Sequence, residues 1–149
     1  MLKSTMQTWH LIIEGVPMST TKRSLSKRVG ELAGSSAFLL YLAEAAGTNR
    51  LSLSQAAFFM LAAAADARGK PLTLTQLIEA YGETLKTATK NTYRSLLRPS
   101  KSFPYAIGWL EKIDNPDDER EKFLVLSDKG QKVVEAALLA LAPIGNPNA

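Results

Sequence analysis

Apolar residues recur at intervals of three and four along most of this 149-residue sequence, and this periodicity restricts its possible folds more than any other feature. It predicts a mainly helical chain. The predicted helices cover residues 24–46, 54–69, 73–82, 84–97 and 128–142. Between the fourth and the fifth of these segments the pattern changes, which indicates an element of a different kind.

Polar residues at the predicted helix starts have the spacing of helix caps. Thr73 precedes Gln76 by three residues, which is the spacing of a capping box. Ser52 or Ser54 is placed to cap the second helix, and Ser127 is placed to cap the last one. Each of the first three helices is followed by a glycine, a residue that commonly ends helices: Gly47, Gly69 and Gly82.

Two short segments rich in strand-forming residues flank a polar turn in the second half of the chain. They are IGWLEKID and KFLVLS, and NPDDERE between them supplies the turn. Pro99 and Pro104 prevent the fourth helix from continuing, so residues 98–105, RPSKSFPY, are predicted to form a loop. The sequence therefore predicts an α+β fold, mainly α-helical, with a small β-hairpin over about residues 107–127.

Composition limits the chemistry available to this chain. It has no cysteine, and His10 is its one histidine, so thiol chemistry, a zinc cluster and a Ser-His-Asp triad all lack necessary parts. We therefore expect no enzyme activity, no metal and no cofactor. The apolar runs are shorter than the roughly 18 residues of a membrane span, and the N-terminus lacks the pattern of a secretory signal. These features favour a bacterial cytoplasmic protein without a membrane partner.

The segment TLKTATKNTYRSLLRPSK, residues 84–101, contains basic residues and no acidic one. The basic residues are Lys86, Lys90, Arg94, Arg98 and Lys101. Because a step of four residues rotates a helix by only about 40°, the first three of them share one face. Like charges four residues apart destabilise a helix slightly, a cost that bound phosphates would offset. The alternative is a face that serves solubility.

The position of this segment favours DNA. It follows a predicted turn at Gly82 and precedes the hairpin. In helix-turn-helix proteins the second helix enters the major groove, and a hairpin after it would be a wing. Thr87, Asn91 and Tyr93 are expected on the same face, where they would bond phosphates or base edges. The sequence therefore predicts double-stranded DNA as the partner, with these contact residues: Thr84, Lys86, Thr87, Lys90, Asn91, Arg94, Arg98 and Lys101.

The hairpin and the helix after it resemble those of multiple-antibiotic-resistance-type (MarR) regulators. That family shows a Gly-Leu-Val-Glu-Arg strand, an Asp-Pro-x-Asp-x-Arg wing and a Leu-Thr-x-x-Gly entry to a helix. The matching residues here are Gly108, Leu110, Glu111, Lys112, Pro116, Asp118, Arg120, Leu126, Ser127 and Gly130. LSLSQAAFFMLAAA and LTLTQLIEAYG similarly resemble the family's segments before and at the helix-turn-helix, so the resemblance covers about residues 24–142.

The resemblance implies a homodimeric, winged helix-turn-helix regulator, usually a repressor, that binds a pseudo-palindromic operator. The N- and C-terminal helices of such proteins form the dimer, and many members bind small aromatic effectors. Arg120 would reach the minor groove from the wing, and Asp118 would orient it. The expected organisation is an N-terminal arm over residues 1–23, the winged domain over residues 24–142 and a flexible tail over residues 143–149.

Two features differ from the family pattern. Glu119 stands where a second basic residue is common, within a turn that is rich in acids, and residues 98–105 interrupt what is usually a continuous helix. Two other functions stay open. One is a winged-helix protein-interaction module, which the acidic turn favours. The other is a DNA-binding component of replication or mobile-element machinery.

Overall fold

Helices packed on a three-stranded antiparallel sheet make up the computed structural model, which describes residues 24–47, 51–81, 86 and 93–141. The longer α-helices of the described residues are α1 (Val29–Ala46), α2 (Leu53–Ala67), α3 (Leu74–Tyr81) and α4 (Asp128–Leu141), and residues 24–26 and 86 are helical as well. The strands are β1 (Leu72–Thr73), β2 (Leu110–Asp114) and β3 (Lys122–Leu126). The predicted combination of helices with a small β-sheet is confirmed. The predicted arm over residues 1–23 and tail over residues 143–149 lie outside the described residues.

The predicted helix caps are confirmed at the starts of α2 and α3. At α2 the backbone N–H of Gln55 donates to Ser52 Oγ at 3.1 Å, and Gln55 Oε1 accepts from the backbone N–H of Ser52 at 2.8 Å. At α3 the same exchange joins Gln76 and Thr73, at 3.3 and 3.0 Å. Each pair satisfies two backbone donors that a helix start would otherwise leave without a partner.

The sheet has β3 in its centre, with β1 on one side and β2 on the other. Leu110 lies opposite Leu126 in the hairpin, and Leu72 lies opposite Leu124. The hairpin formed by β2, β3 and the turn over residues 115–121 was predicted, whereas β1 was not. Because β1 is two residues long, it leaves no alternation of apolar and polar residues in the sequence.

Two predicted elements differ from the structure in detail. Residues 24–26 are helical as predicted, but a turn at residues 27–28, where Arg28 has a non-helical backbone (φ −115°, ψ 16°), separates them from α1. Strand β2 begins at Leu110 rather than Ile107, because the preceding backbone is bonded elsewhere. The N–H of Ile107 donates to the carbonyl oxygen of Ser95 at 2.8 Å, and Gly108 N–H donates to that of Leu97 at 2.9 Å.

The core lies between the sheet, α1 and α2. Trp109 and Phe59 are fully buried and in contact, with ring centroids 4.8 Å apart. Helix α4 covers α1, and the two backbones approach closely at Gly34. A Cβ there would lie 2.5 Å from the carbonyl oxygen of Leu141, so glycine allows the close approach of the two helices.

Ser127 connects the hairpin to α4. Its hydroxyl donates to the carbonyl oxygen of Gly108 at 2.6 Å and accepts from the backbone N–H of Gly130 at 3.0 Å. Its own N–H donates to the carbonyl oxygen of Trp109 at 3.0 Å. A Cβ at Gly130 would overlap that same carbonyl group, so the approach needs glycine. We call these four residues the Ser127 junction; the predicted cap at Ser127 is confirmed within it.

Replacing Ser127 with alanine is expected to lower the free energy of unfolding by about 1–3 kcal/mol, because two backbone groups would lose a buried partner. Ser36→Ala is the matched control: Ser36 is exposed on α1, and its loss should change stability by less than about 0.5 kcal/mol. Urea unfolding followed by circular dichroism measures both. Equal midpoints for the two variants would contradict a structural role for the Ser127 hydroxyl.

Candidate nucleic-acid interface

The described residues include part of the predicted DNA-contact segment. Lys86 is helical and exposed, and Arg94, Arg98 and Lys101 are exposed as well. Four of the predicted contact residues lie outside the described residues: Thr84, Thr87, Lys90 and Asn91. Their place on a common face with Lys86 stays a prediction.

The end of this segment differs from the prediction. Tyr93–Leu96 form a 3-10 turn instead of the last turn of an α-helix. With about three residues per turn, Tyr93 and Leu96 point to the same side, and both are buried. Tyr93 packs near Phe58, with ring centroids 6.5 Å apart. The expectation that Tyr93 bonds phosphates or base edges was therefore wrong.

The basic side chains after residue 92 have different surroundings. The guanidinium of Arg94 lies over the ring of Phe103, 5.8 Å from its centroid. Arg98 forms an ion pair with Glu111 on β2, in which its Nε donates to Oε1 at 3.1 Å. Lys101 stands exposed on the loop over residues 98–105. Arg98 is thus partly neutralised within the protein, which the sequence did not indicate.

The loop over residues 98–105 has a defined backbone. Ser100 and Phe103 exchange two backbone hydrogen bonds, each of 3.1 Å, and Ser100 Oγ accepts a further one from the N–H of Phe103 at 3.2 Å. Ala106 N–H also donates to the carbonyl oxygen of Phe103 at 3.2 Å. These bonds fold the predicted loop into a closed turn beside β2.

A cavity of about 570 Å³ opens between this loop, the 3-10 turn and β2. Its lining combines apolar, hydroxyl and cationic side chains, among them Lys112. The ammonium of Lys112 lies over the ring of Tyr93, 5.6 Å from its centroid. Lys112 was not among the predicted contact residues, because it lies on a strand outside the acid-free segment.

The turn of the hairpin is acidic, and its acids are partly engaged. Lys122 pairs with Asp114 across the strand ends, and its hydrogen bond and positive charge lower the pKa of that carboxyl group. The hydroxyl of Thr75 on α3 donates to Glu121 Oε1 at 2.8 Å. Asp118 Oδ1 accepts from the backbone N–H of Arg120 at 3.0 Å. Asp118 therefore fixes the main chain at Arg120, whose side chain is exposed.

Helix α1 also carries an exposed apolar side. Gly34, Phe38, Leu42 and Ala46 are its buried residues. The exposed large apolar residues lie on another side of the helix: Val29, Leu32, Leu39 and Leu40. An apolar groove of about 500 Å³ runs between α1, α2 and α4 beside this side, and Leu39, Met60 and Leu138 are among its lining residues.

Comparisons of the chain with protein-family models, curated protein sequences and solved structures gave no match. Within the described ranges, none of the helices has both the length and the apolar content that crossing a membrane requires. The function is therefore inferred from the arrangement of the residues themselves.

Proposed function

We propose that this chain is a winged helix-turn-helix protein that binds double-stranded DNA as a homodimer and regulates transcription, most simply as a cytoplasmic repressor. The observation that carries the proposal is the order of the elements. Helix α2, β1 and α3 precede the basic segment, and the β2–β3 hairpin follows it. Since β1 leads into α3 and pairs with β3, the hairpin is attached beside the start of α3 rather than projecting separately.

This order is the one expected if the basic segment contains a recognition helix. Helix α3 is short and capped, and the next described residue along the chain, Lys86, is again helical. The second helix of a helix-turn-helix enters the major groove, where cations near its start meet phosphates. Lys86 is helical and exposed, as such a contact requires. The resemblance to MarR-type regulators in sequence agrees with this assignment.

The basic segment and the hairpin turn carry opposite charge, so we expect them to contribute differently to DNA binding. Residues 84–101 carry five basic residues and no acid, and although Arg98 pairs with Glu111, the net positive charge of the segment would attract phosphates. The turn over residues 115–121 carries Asp117, Asp118 and Glu119, all exposed. These carboxylates would repel phosphates, so we expect the helix to provide most of the affinity. Arg120 is the residue through which the wing would reach the minor groove.

The exposed leucines of α1 and α4 support a second copy of the chain as the dimer partner. Leu32 is 59% exposed and Leu40 is 62% exposed on α1, and Leu139 is 78% exposed on α4. Such patches commonly mark interaction sites. A dimer would cover them and present two basic helices to the half-sites of a pseudo-palindrome. The apolar groove beside them is where an aromatic effector would fit.

A protein-interaction module is the second candidate, and the acidic turn is the observation that favours it. Lys122 engages Asp114, and Thr75 engages Glu121, which leaves the acids at the tip of the turn exposed. A basic protein partner would be attracted to this tip. Binding of duplex DNA separates the two candidates, because an interaction module has no need of the basic helix for its affinity.

Lys86→Gln combined with Lys90→Gln is expected to weaken binding to duplex DNA and to reduce its salt dependence. The logarithm of the affinity falls with the logarithm of the salt concentration, and the slope should drop by about one for each phosphate that the variant no longer neutralises. Fluorescence anisotropy with a labelled duplex at several salt concentrations measures the slope.

Lys27→Gln combined with Lys132→Gln removes the same charge from exposed positions before α1 and on α4. This control should leave the slope close to that of the wild type. An equal reduction of the slope in both double variants would show that net charge alone determines binding, and would contradict a recognition helix in the basic segment.

Leu32→Glu combined with Leu40→Glu is expected to convert the dimer to a folded monomer, since both side chains are exposed in the single chain and a buried charge would oppose association. Leu53→Glu is the matched control, because Leu53 is 76% exposed at the start of α2. Light scattering at tens of micromolar measures the mass. A wild-type monomer, or a dimer that tolerates both glutamates, would contradict this interface.

A further inference from the structure

We propose that the cavity between the loop over residues 98–105 and β2 is a binding site for a phosphoryl group. Arg94 and Lys112 would hold the charge, and the hydroxyl groups of Ser100 and Ser102 would donate to its oxygens. This inference goes beyond DNA binding by the basic helix, and free phosphate probes it directly, so it can hold or fail separately from the proposed function.

The cavity is large enough for a phosphoryl group together with part of the molecule that carries it. Its volume of about 570 Å³ lies in the range of small-molecule sites. Leu97, Phe103 and Leu110 line its apolar part, and the cations and hydroxyl groups line the rest. Sites that bind small molecules combine such an apolar wall with a few polar groups that fix orientation.

The charges in the lining are unbalanced. Three cations and one carboxylate line the cavity: Arg94, Arg98, Lys112 and Glu111. The ion pair between Arg98 and Glu111 accounts for one charge of each sign. Among the described residues, neither Arg94 nor Lys112 forms an ion pair. Two positive charges are therefore available to a ligand that carries up to two negative charges.

Each of these two cations lies over an aromatic ring. The guanidinium of Arg94 lies over Phe103, and the ammonium of Lys112 lies over Tyr93. A ring does not cancel the positive charge of a cation that lies over it, whereas a carboxylate in an ion pair offsets that charge. Because Tyr93 is buried, the ring below Lys112 is itself fixed. Less side-chain freedom is then lost when the ligand binds.

The hydroxyl groups that would donate to the ligand belong to the closed turn over residues 100–103. Ser100 Oγ accepts from the N–H of Phe103, which leaves its proton to donate to a phosphoryl oxygen. The two backbone bonds between Ser100 and Phe103 hold this turn at one end of the cavity. Charge-assisted hydrogen bonds from such fixed donors are stronger than those between neutral groups.

The phosphoryl group has two possible sources, the DNA backbone and a free phosphorylated small molecule. In either case the ligand would touch both sides of the cavity. Arg94 lies in the second half of the basic segment, and Lys112 lies on the strand that leads into the turn of the hairpin. A bound phosphoryl group would therefore tie the end of the basic segment to the hairpin.

The first experiment is a titration of the full chain with inorganic phosphate at constant ionic strength, followed by amide chemical shifts in nuclear magnetic resonance. Saturable shifts are expected at Ser100, Ser102 and Phe103. Arg94→Gln combined with Lys112→Gln should weaken phosphate binding by at least about tenfold, as the removal of one charge-assisted hydrogen bond implies. Lys27→Gln combined with Lys132→Gln should leave it unchanged.

Dispersion of the amide spectrum establishes that the variants are folded. If the shifts are absent in the wild type, or if both double variants weaken phosphate binding equally, the proposed site is wrong. A wild-type chain that binds phosphate here but fails to bind DNA would overturn the proposed function and leave this site standing.

The second experiment distinguishes the sources through DNA affinity in phosphate-free buffer. If the backbone supplies the group, Arg94→Gln with Lys112→Gln lowers DNA affinity relative to the charge-matched control, and phosphate competes with DNA. If a small molecule supplies the phosphoryl group, the two double variants bind DNA with equal affinity. Added phosphate then changes the DNA affinity of the Lys27→Gln, Lys132→Gln control but not that of the Arg94→Gln, Lys112→Gln variant. Either result supports the site when the titration has placed phosphate there.

Discussion

The buried hydroxyl of Ser127 is the contact on which the arrangement of the other elements depends. It bonds the carbonyl oxygen of Gly108 and the N–H of Gly130, so one side chain fixes the base of the hairpin to the start of α4. Gly108 in turn donates its N–H to Leu97, at the end of the basic segment. Three parts of the chain are therefore held at one place by backbone groups that would be costly to leave without partners.

Two further contacts connect the elements of the Ser127 junction to α2 and to α1. The N–H of Leu126 at the end of β3 donates to Asp66 Oδ2 on α2 at 2.9 Å. Helix α4, which starts at the junction, packs on α1 at Gly34. The elements that would face DNA and the helices with exposed leucines thus belong to one connected framework. In the dimer that we propose, the spacing between two basic segments would follow from how α1 and α4 pack between copies.

The features that could be predicted from the sequence are those with a local cause. Thr73 and Gln76 lie three residues apart, and their reciprocal bonds need nothing beyond the start of one helix. The hairpin follows from β-rich segments on either side of a polar turn. Strand β1 could not be predicted, because its two residues are in a strand only through pairing with β3, far along the chain.

The electrostatics of the candidate site were less predictable than its position. The acid-free segment gave no sign that the exposed Arg98 pairs with Glu111 on β2. The prediction for Tyr93 was wrong because a 3-10 turn rotates successive residues further than an α-helix does. Lys112 could not be predicted, because only the folded chain brings β2 beside the basic segment and no spacing along the sequence indicates it. Each of these errors concerns a contact between segments, which no spacing within a segment encodes.

Sequencing of the genomic DNA fragments that the purified full chain retains would test the central claim most directly. A dimeric winged helix-turn-helix protein should enrich fragments that share an inverted repeat. The half-site centres should lie about one helical turn of DNA apart, roughly 10 base pairs, or a multiple of it. Fragments that are no more enriched than those retained without protein, or that share no repeated element, would contradict sequence-specific recognition by this fold.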